Sequence, residues 1–356
     1  MSGHLYRCGC ASVAPTGVGG LKLGSGAIDV HCHLAIPDVD KLASQDPMAK
    51  ISAERQMAGF SQATIELNAA ALKSLIPKLV DIDTRLADMD LMGIDTQVLS
   101  PSPFHFNYWA DPELSAALVA IQNDYLEAIF KGNDRRFLAF GAVSMQHPQQ
   151  AAQQLADIMN RGFKGIEIST RINERDLSDP SFDCIWKVAE RTGAVIFVHP
   201  MGTDMGDRLK DSYLGNLIGQ PLETTIALSK LIFSGVFDRF PDLKVLACHG
   251  GGYLPSFFGR SDHGYAVRSD CRTMARSPSD YLKRIWYDTV VHDPSILEQL
   301  ARTVGIGQIV IGSDYPFDMG EYRPGALLAE AHAFSDDDRA AVTSKNARRL
   351  LALPDA

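Results

Sequence analysis

The chain has 356 residues, of which 46% are hydrophobic and 22% charged, with a formal net charge of −9. This length suits one barrel-sized domain or two ordinary ones. An acidic balance without a basic stripe argues against nucleic-acid binding, and no apolar run reaches the ~18 residues that a membrane helix needs.

Six scattered cysteines, Cys8, Cys10, Cys32, Cys184, Cys248 and Cys271, read as free thiols of a cytoplasmic protein rather than a disulfide framework. Cys8-Gly9-Cys10 has no second pair to complete a four-ligand metal clip. Residues 1–26, rich in glycine and small side chains, are expected to form a flexible extension, and residues 27–356 a single domain.

The domain opens on Ala27-Ile28-Asp29-Val30-His31-Cys32-His33, a short apolar strand that ends in two histidines. Residues i and i+2 of a strand face one way, so both imidazoles point at one spot. Asp29 would lie one layer deeper on that side, a candidate for fixing the tautomer of His31. A polar, mostly helical insertion runs to about Leu79. Next come a helix over 83–92, stopped by Gly93, and a strand over 95–100. The aromatic loop after it, Phe104-His105-Phe106-Asn107-Tyr108-Trp109, offers His105 and Asn107 as substrate contacts.

Further helices are expected over 112–131, 148–161, 182–192 and 222–240, with strands over 137–143, 165–169, 194–199, 244–249, 284–288 and 308–312. Eight strands, most of them separated by helices, imply a parallel sheet. They fit a (β/α)8 TIM barrel with an insertion after the first strand. A doubly wound open sheet is the alternative, weakened because no phosphate-binding glycine pattern follows the first strand.

In a barrel of this kind the active site sits at the C-terminal strand ends. Here the first strand ends in His31 and His33, the fifth in His199, the sixth in His249 and the eighth in Asp314. Three imidazoles and one carboxylate hold a divalent ion with room for water, the pattern of a catalytic rather than a structural site. Zinc, with manganese or iron as alternatives, would lower the pKa of bound water toward ~7. The fourth histidine is then the general base. Three glycines after His249 favour that residue, and the residues alone leave His199 able to exchange roles with it.

In this order on eight strands, these residues resemble the amidohydrolase superfamily. The resemblance extends to its α-amino-β-carboxymuconate-ε-semialdehyde decarboxylase-like branch through Asn173-Glu174-Arg175-Asp176-Leu177, Val198-His199-Pro200, His249-Gly250-Gly251-Gly252 and Gly312-Ser313-Asp314-Tyr315-Pro316-Phe317. It implies one zinc held by His31, His33, His199 and Asp314, with His249 activating metal-bound water. The activity it implies is non-oxidative decarboxylation of a small unsaturated or aromatic carboxylic acid, carboxymuconate-semialdehyde-like or hydroxybenzoate-like, in catabolism. A hydrolase or hydratase acting on a ring-cleavage product, lactone or amide is the alternative. One metal rather than two is expected, because the fourth strand ends in Ile168-Ser169-Thr170 without the lysine that bridges two metals in binuclear relatives. Arg260 matches an arginine that the family presents across a homodimer interface to the neighbouring site. Lys73 falls where the family carries a second substrate arginine, and Met201 where it carries a tryptophan. His292, before Asp293-Pro294, reads as part of a helix start.

Overall fold

A computed structural model describes Leu23, residues 26–133 and residues 135–354. Apart from Leu23 and Gly26, the expected extension and its Cys8-Gly9-Cys10 pair lie outside the described residues.

Eight parallel strands form the centre: β1 (Ile28–Leu34), β2 (Thr96–Pro101), β3 (Phe137–Ala139), β4 (Gly165–Ile168), β5 (Val195–Val198), β6 (Lys244–Ala247), β7 (Trp286–Asp288) and β8 (Ile309–Val310). They pair in the order β1-β2-β3 and β4-β5-β6-β7-β8. Single parallel bridges, Gly141 with Ile166 and Asp29 with Ile311, join the two sheets at both edges. Each seam carries a backbone hydrogen bond of 2.9 Å, from Gly141 N to Gly165 O and from Val30 N to Ile311 O. This is the expected α/β barrel, and the doubly wound alternative is set aside.

Four helices fill the connection between β1 and β2: α1 (Pro37–Ala43), α2 (Pro47–Ala58), α3 (Gln62–Val80) and α4 (Ile82–Met92). Asp81 caps α4 by accepting from Thr84 N, and Gly93 ends it in the left-handed conformation, φ 75°. α4 packs Met89 and Met92 inward, whereas α2 buries no residue and α3 only Thr64. α2 and α3 therefore ride on the barrel, whereas α1 and α4 add Val39, Ala43, Met89 and Met92 to its core. The helix Pro148–Arg161 shows how the outer ring is held: Ala151, Ala152, Leu155 and Ile158 form one buried stripe at helical spacing.

Inside the ring, Ile28, Val30, Val98, Phe140, Phe197, Leu246 and Val310 pack as one cluster. Cys32, Leu34 and Leu99 belong instead to the larger cluster between strands and helices. The change of side occurs at a bulge, where β1 gains a residue on β2 between Asp29 and Cys32. Val30 and His31 consequently both turn inward, and Asp29 faces out. The expectation that Asp29 lies beneath His31 is thereby corrected, because the period of two does not survive a bulge. Full burial of a side chain such as Phe197 stabilises by ~1.5–3 kcal/mol, so the histidines above it stand on a firm layer.

Candidate active site

The bulge and the strand ends deliver His31, His33, His199 and Asp314 to one point. Their ligand atoms lie within 4.8 Å of one another, and all four residues are buried. Nε2 of His31 and Nε2 of His33 are 3.1 Å apart, and Asp314 Oδ1 is 3.2 Å from each. Two ligands on a tetrahedral zinc with bonds of ~2.1 Å would be separated by about 3.4 Å. The donors are also unspent: Asp314 Oδ1 and both ring nitrogens of His199 are buried without a hydrogen-bond partner. Buried polar atoms are almost always paired. Three imidazoles and a carboxylate that converge with these atoms left unpaired fit a divalent cation.

The electrostatics agree. Burial opposes charge on His31, yet the Asp314 and Asp288 carboxylates outweigh it and raise His31 to about 10. Burial, aided by the neighbouring His33 and His31, pushes His199 well below the ordinary imidazole value, which leaves it the neutral ring that a metal requires. Against the burial penalty, His31, His249 and His33 hold Asp314 ionised, well below the ordinary carboxylate range.

His249 stands apart from the cluster. Its Nε2 is 3.4 Å from Asp314 Oδ2 and its side chain is 18% exposed. Its Nδ1 is 3.2 Å from Cys248 Sγ. His199, Cys248 and His249 also come within reach of a single ion. Burial pushes the Cys248 thiol well above its ordinary value, however, so this group lacks the thiolate that would make it a strong site. His249 and Asp314 both take positive φ, 52° and 55°. Non-glycine residues held there cluster at functional sites.

The glycines after His249 have a packing reason. A Cβ on Gly252, φ 65°, would lie 2.2 Å from Pro221 O. Gly312 plays the same part under the metal cluster, since a Cβ there would come within 2.9 Å of His31 Cβ and 2.7 Å of Asp288 Cβ.

Two carboxylates in the site escaped the sequence reading. Asp288, the last residue of β7, meets His31 Nδ1 at 2.5 Å and accepts from Gly250 N at 2.9 Å. It does for His31 what Asp29 was expected to do. Asp29 instead accepts from Gln97 Nε2 at 2.9 Å and Ser313 Oγ at 2.6 Å, and it anchors the loop that carries Asp314. Asp288 was open to the same logic that singled out the other strand ends. Glu167, in β4, lies among the ligand histidines, and one residue inside a strand gave no signal.

A cleft of about 500 Å³ opens between α1, α2 and the loops after β2, β4 and β5. Thr170, just past β4, and Met201, two residues past His199, line it beside Asn107 and Tyr108. Asn107 is thus on the cleft wall. His105 is buried next to that wall, with Nε2 3.2 Å from Asp40 Oδ1. Lys73 is exposed on α3 and absent from the lining. α2 supplies Arg55 there instead, because it is α2 rather than α3 that borders the cleft. A second cation, Arg171, is engaged by Asp204 and Glu174, whereas Arg55 has no carboxylate partner among the described residues. Arg260 lies exposed on the helix Leu254–Val267 and takes no part in the cleft of its own chain. His292 is exposed, φ 59°, and Asp293 caps the following helix by accepting from Ser295 N and Ile296 N.

Three histidines and an aspartate at the mouth of a parallel barrel, with a fourth histidine beside them, define a metal-dependent barrel enzyme. The chain belongs to the amidohydrolase family, whose model matches residues 28–353. It is similar to the 2-amino-3-carboxymuconate-6-semialdehyde decarboxylase of Dictyostelium discoideum, 36% identical over 77% of both chains. In structure it resembles 5-carboxyvanillate decarboxylase from Sphingomonas paucimobilis, with a TM-score of 0.80, 25% identity and coverage of 92% of this chain and 99% of that one. The 2,6-dihydroxybenzoate decarboxylase from Rhizobium matches with a TM-score of 0.77 and 25% identity, over 92% and 98%.

Proposed function

We propose that this chain catalyses the non-oxidative decarboxylation of a small unsaturated or aromatic carboxylic acid, in a catabolic role. The observation that carries the reading is the convergence of His31, His33, His199 and Asp314 with His249 held 3.4 Å from Asp314, in a chain whose similar relatives are decarboxylases. A divalent ion held by the four ligands supplies Lewis acidity and lowers the pKa of water that it binds. In the reaction the carbon–carboxylate bond breaks, its electron pair stays on the substrate carbon, and a proton takes the place of the departing carbon dioxide. His249, part exposed and outside the ligand set, is the group placed to carry that proton. The burial of His199 with both ring nitrogens unspent supports the ligand role for it rather than for His249.

Zinc is the proposed metal, since three imidazoles and a carboxylate with an open position are a common catalytic zinc set; manganese and iron fit the same donors. A guanidinium fork is the best match to a substrate carboxylate, and Arg55 is the cleft cation left unpaired. The proposed assembly is a homodimer in which Arg260 reaches the neighbouring site. Its support is the apolar Phe257, 70% exposed, one turn before Arg260 on the same helix. The proposed compartment is the cytoplasm: the four cysteines among the described residues are unpaired, and no described helix is long and apolar enough to cross a membrane.

The test is zinc-loaded protein assayed for carbon dioxide release from carboxymuconate semialdehydes and hydroxybenzoates. Release that disappears in His249→Ala, with zinc retained, is the expected result. Consumption of water with the carboxylate kept would make the chain a hydrolase or hydratase.

A further inference from the structure

The three ligand imidazoles are backed unequally. His31 is locked from behind by Asp288, Nδ1 to Oδ2 at 2.5 Å. Behind the other two stands a single residue, Glu167 of β4, 3% exposed. Its Oε2 is 3.6 Å from Nδ1 of His33, and its Oε1 is 3.8 Å from Nδ1 of His199. Neither carboxylate oxygen has a hydrogen-bond partner, and neither do those two ring nitrogens. Two orphaned acceptors thus face two orphaned imidazole nitrogens at the same buried place. Each gap exceeds hydrogen-bond range by well under 1 Å.

We propose that Glu167 is the positioning residue for two metal ligands at once, one oxygen accepting Nδ1–H of His33 and the other Nδ1–H of His199. The inference rests on the metal-centre reading above and is independent of the substrate. With Nδ1 protonated and held, each ring must present Nε2 to the ion. His33 already does so, its Nε2 being the atom that meets His31 and Asp314. A carboxylate is required because both of its ends accept. Glutamine has nearly the same shape, but its amide nitrogen would meet one of the two N–H groups donor to donor. Only one ligand would then stay oriented. Position in the barrel makes the sharing feasible: β4 pairs with β5 in register, Glu167 opposite Phe197, two residues before His199.

The experiment compares wild type, Glu167→Gln, Glu167→Leu and Asp288→Asn as metal-free proteins titrated with Zn²⁺ against a chelator, and with Co²⁺ followed by visible absorption. The expected result for Glu167→Gln is a metal-free melting temperature close to wild type, zinc affinity reduced ~10–100-fold and an altered Co²⁺ spectrum. Glu167→Leu is expected to lose more affinity, with glutamine recovering part of it. Wild-type zinc affinity and Co²⁺ spectrum in Glu167→Gln would overturn the proposal while leaving the metal centre intact. Two metals per chain falling to one in Glu167→Gln would overturn it too, by making Glu167 a direct ligand. Failure of the wild type to bind zinc, manganese or iron would overturn the metal-centre reading and this inference with it.

Discussion

Nδ1 of His31 and Oδ2 of Asp288 sit 2.5 Å apart, both side chains fully buried, one in the middle of β1 and the other at the end of β7. Strands far apart in sequence thereby fix the tautomer of the first metal ligand, with Nε2 turned toward His33 and Asp314. Asp288→Asn keeps the shape and removes the charge. The expected outcome is a folded protein whose zinc affinity falls ~10–100-fold, measured by chelator competition. Unchanged affinity would remove Asp288 from the metal centre.

The same ion pair sets a proton balance. His31 stands at about 10 in the metal-free protein, so it carries a proton at neutral pH that a metal must displace. Metal affinity is therefore expected to rise with pH through the neutral range, and to level off as pH passes about 10. Calorimetric titration of Zn²⁺ in buffers of different ionisation enthalpy is expected to show net proton release on binding at pH 7, from His31 and from His33, whose pKa the Glu167 carboxylate also raises against burial. No buffer dependence would contradict the protonated state of His31. In the metal-free chain the raised value also favours folding: the stabilisation is complete below the ordinary imidazole pKa of 6.5 and is lost as pH climbs through about 10.

Arg55 and Lys73 divide the insertion into a part that meets the cleft and a part that does not. Arg55→Ala is expected to raise KM for a carboxylate substrate about tenfold or more, the scale of a lost charge-assisted hydrogen bond. Lys73→Ala is expected to leave KM and kcat within about twofold. The reverse pattern in steady-state kinetics would restore Lys73 to the site and remove Arg55.

Arg260 is exposed on its own chain, and Phe257 beside it is 70% exposed. If Arg260 serves the neighbouring site, Arg260→Ala and His249→Ala proteins are each inactive, and a mixed dimer regains activity in the one site that holds both residues. Recovery on co-expression, together with a dimer in sedimentation, is the expected outcome. A monomer, or no recovery in a proven heterodimer, would count against the shared site.

Much of the candidate site was legible because its residues lie in or just past parallel strands. His31, His33, His199 and Asp314 interrupt apolar runs with polar residues, and a parallel strand delivers its last side chains to the barrel mouth whatever its neighbours are. His249 was legible as a fourth histidine, and the difference in burial between it and His199 came only with the structure. Asp29 misled because an alternating pattern cannot reveal a bulge: β1 gains a residue between Asp29 and Cys32, and the face inverts. Lys73 lies on α3 whereas α2 borders the cleft, and sequence pattern alone does not show which of two successive helices does so.

By itself the sequence determined the barrel and pointed to His31, His33, His199, His249 and Asp314 at its mouth, because strand periodicity and chain order are local properties. Tertiary structure decided what stands behind each ligand. Asp288 reaches His31 across 257 positions of sequence, and Glu167 is placed between His33 and His199 by β4 lying next to β5. Such pairings depend on which strands become neighbours when the ring closes, and the physical reason is that burial leaves each polar group only the partners that closure brings within reach.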